Sequence, residues 1–212
     1  MADTARPGPE FWRRALSRRE TLFKALIESD LGRQLDRLAG AVANAMAGGG
    51  KVLLFGNGGS AAAAQHAAAE WVGRFLTKRN PLPAIALTAD TSILTAVGND
   101  YGFDRVFERQ VQAIGRPGDV VIGLSTSGES ENVIRALRAA RRRGAHAAAF
   151  LGGDGGRARR IADSALIVPA SQVALIQEIH GFLLHVLCEE VERRLQGRRL
   201  RKGTGGSSGR KK

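Results

Sequence analysis

The sequence predicts an α/β fold, a parallel sheet covered by helices on both faces. Three observations carry this expectation. Five short apolar runs alternate with helical stretches along the chain, and strands joined by helical crossovers pair in parallel with a helical layer on each side. Gly at 27 residues and aromatics at only 5% indicate many tight turns around a core of Ala, Leu and Val. A length of 212 residues with 43% hydrophobic content closes one sizeable core and argues against a disordered or fibrous chain.

The elements follow in order. Residues 10–47 carry helical periodicity in Phe11, Ala15, Leu16, Leu22, Ala25 and Leu26, then in Leu31, Leu35, Leu38, Val42 and Met46. Gly48 to Gly50 ends this stretch, because consecutive glycines break a helix. Residues 1–49 therefore read as a helical arm that packs on the domain or on a neighbouring subunit. Strands are expected at 52–55, 84–87, 120–124, 147–151 and 165–168, each a short apolar run suited to burial on both faces. Helices are expected near 60–74, 104–114, 130–143 and 156–162, with a long one at 172–195. The domain then spans 50–196, with no internal repeat, and 197–212 is a basic, disordered tail.

Charge and targeting exclude several functions. The formal net charge is +12, but residues 193–212 hold nine basic residues and no acid, which leaves +3 for the rest. The body is therefore no basic nucleic-acid-binding domain. The tail is a solvated segment, with weak polyanion contact as the alternative. No stretch nears the roughly 20 apolar residues that span a bilayer, and residues 1–20 lack the apolar core of a secretory signal. The single Cys188 has no intrachain disulfide partner. A cytoplasmic protein is expected.

In open parallel sheets ligands bind beyond the carboxyl ends of the strands, so the loops there were read for chemistry. After the first strand, Gly56-Asn57-Gly58-Gly59-Ser60 runs into an Ala-rich helix. Its glycines let backbone approach a ligand, and the helix N-terminus offers N–H groups to an anion or a sugar hydroxyl. It matches neither the Walker nor the dinucleotide pattern; a tight turn capped by Ser60 is the alternative. After the third strand, Ser125-Thr126-Ser127-Gly128-Glu129-Ser130 opens another helix. A cap uses one or two hydroxyls and four are present, which points to a neutral phosphate cradle. Gly98-Asn99-Asp100 reads as a turn by composition. His66 and Glu70 are spaced i, i+4 and share a helix face, beside the small residues Ala61 to Ala64 and Ala67 to Ala69. Gln177, His180 and His185 lie on the last helix. Two His, one Glu and one Gln compose a divalent-metal set, zinc above all, while a lone His-x-x-x-Glu also serves as a plain helix-surface pair.

Together, Gly56 to Ser60, Val97-Gly98-Asn99-Asp100, Ser125-Thr126-Ser127-Gly128 and Gln177-Glu178-Ile179-His180 resemble the sugar isomerase (SIS) domain family over roughly residues 10–195. Within it the motifs are most similar to the branch that interconverts sedoheptulose 7-phosphate and D-glycero-D-manno-heptose 7-phosphate, feeding the heptoses of bacterial surface polysaccharides. The resemblance implies a doubly wound five-stranded parallel sheet of flavodoxin-like type, a homotetramer and one zinc ion per subunit. It implies metal ligands at His66, Glu70, Gln177 and His185. Substrate contacts fall on Asn57, Gly58, Gly59, Glu70, Asn99, Asp100, Ser125, Thr126, Ser127, Ser130 and Gln177, with Arg74 near the site. Glu70 becomes the general base and His185 the general acid. Ala61 to Ala64 depart from the larger or polar residues common there, and the segment after about 196 has no counterpart.

Aldose–ketose isomerisation suits these residues, since it needs only groups that move protons between neighbouring carbons and oxygens through an enediol. A non-catalytic SIS scaffold binding a replication-initiator protein is the alternative; such relatives typically lack the Glu and the second His, both present here. One geometric consequence follows. From 177 to 185 a continuous helix rises about 12 Å, whereas two ligands of one zinc stand only about 3–3.5 Å apart. Either the last helix begins after Gln177 or the site is shared between subunits, and the shared site is expected.

Overall fold

The computed structural model describes residues 9–204, with side chains to residue 198. Helices α1 (Glu10–Ile27) and α2 (Leu31–Ala47) form the arm. Only α2 packs firmly: Leu31, Leu35, Leu38, Val42 and Met46 lie on its buried face, a stripe at helical spacing. Truncating the fully buried Leu38 to Ala would cost about 2–5 kcal/mol. Helix α1 buries Leu22 alone and leaves Phe11, Trp12, Leu16 and Ile27 exposed.

The domain continues as β1 (Val52–Gly56), α3 (Gly59–Val72), β2 (Ala84–Ala86), α4 (Thr91–Tyr101), α5 (Val106–Ile114), β3 (Val120–Ser125), α6 (Glu131–Arg142), β4 (His146–Gly152), β5 (Ser164–Val168) and α7 (Val173–Thr204). The strands form one five-stranded sheet in the order β2-β1-β3-β4-β5, every pairing parallel. Alternate side chains feed two cores. Leu54, Ile122, Leu124 and Phe150 pack with α2, α3 and α7. Leu53, Phe55, Val121 and Leu151 pack with α5 and α6 on the other face. This is the expected doubly wound sheet.

The chain leaves β1 outward to β2 and then returns to the other side for β3, so the strand order reverses between β1 and β3. In this topology the ligand crevice opens at that reversal, beyond the carboxyl ends of the two strands. The glycine loop follows β1 and the Ser-Thr loop follows β3, so the fold brings both to one place.

Four local expectations change. Gly98, Asn99 and Asp100 lie inside α4 and form no turn. The Asp90 side chain caps this helix by accepting the Ile93 N–H at 2.9 Å, and Gly102 at φ +90 ends it; the cap outweighs the turn composition of 98–100. The stretch at 156–162 yields only a 3-10 turn at Ala158–Arg160, too short a segment between Gly156 and β5 for a nucleated helix. The helix expected from 104 opens as a 3-10 turn at Phe103–Arg105 before α5. Helix α7 continues to Thr204, past the boundary expected at 196; residues 205–212 of the expected tail lie outside the described residues.

Candidate active site

Asn57, in the glycine loop, is locked to a partner that the sequence reading had passed over. Its amide donates to Asn132 Oδ1 at 3.0 Å, and the Asn132 amide donates back to Asn57 Oδ1 at 2.9 Å. Asn132 is buried at the start of α6 and also accepts the Val133 N–H at 2.9 Å. A reciprocal amide pair of this kind ties the loop after β1 to the helix after β3. Gly59 is required by a close approach: a Cβ there would stand 2.6 Å from Gln177 Nε2. The Gln177 amide therefore lies directly on the glycine-loop backbone.

The Ser-Thr loop can be audited by its hydroxyls. Ser125 Oγ accepts the Gly128 N–H at 3.1 Å, and Ser127 Oγ accepts the Glu129 N–H at 3.2 Å. Ser125 and Ser130 share one hydrogen bond at 3.1 Å. A hydroxyl that accepts still keeps its proton to donate. Of four hydroxyl protons one is spent between Ser125 and Ser130, so among the described residues three have no acceptor: those of Thr126, Ser127 and one serine of the pair. The Ser130 side chain makes no capping bond to α6; with the Val133 N–H taken by Asn132, the Glu131 and Asn132 N–H groups are the ones open to an anion. Gly128 stands at φ +68 with Gly155 O 2.1 Å from any added Cβ, a position that only glycine fills.

A second loop braces this one. Arg157 Nε donates to Glu129 Oε2 at 2.6 Å and Arg157 Nη1 to Glu131 Oε2 at 3.1 Å. The side-chain bond from Arg157 holds the Glu129 carboxyl below its ordinary range.

The ionisable cluster assembles within one chain. His66 Nε2 lies 2.8 Å from His185 Nε2 and 3.5 Å from Glu70 Oε1, and the three donor atoms lie within 4.8 Å of one another. Helices α3 and α7 pack side by side and run the same way, which sets Gly59 level with Gln177 and His66 level with His185. Helix α7 starts before Gln177, so it is unbroken, yet Glu70 and His185 meet without a second subunit. Gln177, expected as a fourth metal ligand, has its amide on Gly59. Phe75 stacks on the His185 ring with centroids 5.4 Å apart and planes 22° from parallel.

Asn99 donates to Asp100 Oδ1 at 2.8 Å; among the described residues these side chains bond only each other. Arg74 is exposed in the bend after α3. His180 faces the sheet, its Nε2 at 3.1 Å from the Leu151 carbonyl oxygen, and burial pushes its pKa down to about 4. It is a core histidine. Cys188 is a buried free thiol whose pKa burial raises to about 12, which leaves it inert. Among the described residues no helix is long and apolar enough to cross a membrane.

A sequence profile of the SIS domain matches residues 18–152. Phosphoheptose isomerase of Aquifex aeolicus is 61% identical over 159 residues, 75% of this chain and 83% of that protein. The Geobacter sulfurreducens phosphoheptose isomerase is 54% identical over 80% of this chain and 89% of its own length. Among solved structures, phosphoheptose isomerase from Neisseria gonorrhoeae superposes with a TM-score of 0.78 at 43% identity, covering 86% of this chain and 99% of that one.

Proposed function

The chain belongs to the SIS domain family, and we infer that it is an isomerase that interconverts sedoheptulose 7-phosphate and D-glycero-D-manno-heptose 7-phosphate. The carrying observation is the meeting of His66, Glu70 and His185 in one chain, away from the glycine loop that Asn57 ties to the start of α6. From Gly59 to His66 helix α3 rises about 10 Å. A separation of that order suits an open seven-carbon sugar, whose phosphate and reacting carbons stand at opposite ends.

In this reading the three uncommitted hydroxyl protons and the α6 N-terminus take the 7-phosphate, which carries close to two negative charges at neutral pH. Glu70 removes a proton from C1 of the ketose and returns it to C2, while His185 protonates O2 and then takes up the O1 proton. Electrons shift from the C1–H bond through the enediol to give the C1 aldehyde, so nothing is oxidised or reduced overall. The glycine-loop backbone and the Gln177 amide orient the sugar hydroxyls between the two ends.

A zinc ion fits the donor set, because two imidazole Nε2 atoms 2.8 Å apart with a carboxylate oxygen beside them need a shared proton or a cation between them. His66, Glu70 and His185 would hold it, the three-ligand arrangement of catalytic zinc, and it would supply a Lewis acid for the substrate oxygens. A homotetramer belongs to the same reading and is supported by the exposed Phe11, Trp12, Leu16 and Ile27 of α1. So does a cytoplasmic location, where phosphorylated sugars are made. The scaffold alternative has nothing in its favour.

The test is direct. The zinc-supplemented, folded chain is given sedoheptulose 7-phosphate and followed by proton NMR. Appearance of the aldose anomeric signals is expected; a substrate spectrum that never changes overturns the reading.

A further inference from the structure

We propose that the buried Arg79–Glu192 pair is a positioning clamp that fixes both Glu70 and the His185 ring. The proposal rests on the reading of those two residues as the acid–base pair. It starts from the end of α3 at Val72, where the Gly73 N–H caps only the Ala69 carbonyl and the chain passes into an irregular stretch before β2. Helix ends leave carbonyls that need donors. Arg79 supplies them from outside the helix: its Nη2 donates to the Glu70 carbonyl at 2.9 Å and its Nη1 to the Trp71 carbonyl at 2.8 Å.

The same guanidinium donates through Nε to Glu192 Oε1 at 2.6 Å. The two side chains are only 6% and 3% exposed. Glu192, on α7, also accepts the Phe75 N–H at 3.1 Å and the Thr77 N–H and hydroxyl at 3.1 and 2.9 Å. Burying such a pair is worthwhile only when its remaining hydrogen-bonding capacity is met, and here it is met by the last turn of α3 on the Arg79 side and by the segment that follows α3 on the Glu192 side. That segment carries Phe75, the ring stacked on His185. One ion pair therefore fixes the backbone of Glu70 from one side and the face of the His185 imidazole from the other. Neither Arg79 nor Glu192 touches the reacting atoms, so their role is indirect.

The experiment uses Arg79→Lys and Glu192→Gln in the full chain, each checked for folding by thermal melting. Arg79→Lys keeps the charge but cannot span both carbonyls. Two readouts are taken. In steady-state kinetics with sedoheptulose 7-phosphate, kcat should fall about 10- to 100-fold, as small misplacements of reacting groups do, with KM within about 3-fold because the Ser-Thr loop is untouched. In NMR of the metal-free protein, the His185 ring protons should lose the ring-current shift that the stacked Phe75 imposes, as they should in Phe75→Leu. A purely structural pair would lower the melting temperature and leave both readouts in place, and that result overturns the proposal. Should Glu192→Gln not fold, Arg79→Lys and Phe75→Leu decide by the same two readouts. Should the wild-type chain prove inactive on this sugar, the functional reading fails, and the NMR arm still decides whether the clamp sets the His185 ring.

Discussion

Replacing Thr126 by Val isolates the phosphate cradle from the helix cap. The substitution keeps the branched shape and removes one hydroxyl. Among the described residues that hydroxyl takes no part in the bonds that hold the loop, which run through Ser125, Ser127 and Ser130. The loop should therefore keep its form, with a change in melting temperature of about 2 °C or less, as expected of a substitution that breaks no structural bond. A hydrogen bond to a charged group contributes about 1.5–3 kcal/mol. KM for sedoheptulose 7-phosphate should then rise by roughly 10- to 150-fold while kcat stays within about 3-fold, the signature of lost binding that is equal in ground and transition states. Initial rates should be compared with those on sedoheptulose without its phosphate, where wild type and variant should be equally poor. Ser127→Ala is the contrasting control: it removes a proton donor and the acceptor for Glu129 N–H together, so KM should rise and stability should fall. An unchanged KM in a folded Thr126→Val chain refutes the reasoning, and the four hydroxyls are then a loop brace and nothing more.

Three further outcomes are expected. Glu70→Gln keeps shape and can still contact a cation but accepts no proton, so kcat should drop about 100-fold or more; near-normal turnover would move the base to another group. Mixtures of Glu70→Gln and His185→Ala chains should stay inactive after subunit exchange, because both residues come from one chain; returning activity in the mixture would contradict that geometry. His180 is held neutral, its pKa lowered by burial from 6.5 to about 4, so the unfolded chain takes up this proton first as pH falls. Its contribution is complete above pH 6.5 and is lost towards pH 4, about 2 kcal/mol of it by pH 5; urea titrations at pH 7.5 and 5 should show a smaller difference for His180→Leu, and equal differences would refute the assignment.

How much of this was legible in the sequence depends on the range of the interaction. All five strands lie within a residue or two of their expected limits, because a short apolar run between glycines and polar turns is a local signal. The glycine loop and the Ser-Thr loop were legible for the same reason, and strand order then carried them to a common crevice. Helix α4 was missed because none of its side chains is fully buried; Leu94 and Val97 pack only partly against the core, too short a stripe to outweigh the turn composition of 98–100, and the Asp90 cap was the clearer signal. The pairing of Asn57 with Asn132 joins residues on two different crossovers, and the Arg79–Glu192 clamp joins the end of α3 to the last helix; no periodicity records either. Along one continuous helix Gln177 and His185 stand too far apart to be neighbouring ligands, and the sequence records that much. It does not record the parallel course of α3 and α7, which gives each residue its own neighbour on the facing helix, Gly59 for Gln177 and His66 for His185. Two residues on one helix can thus meet different parts of a parallel neighbour, Gln177 at the start of α3 and His185 about two turns further along it.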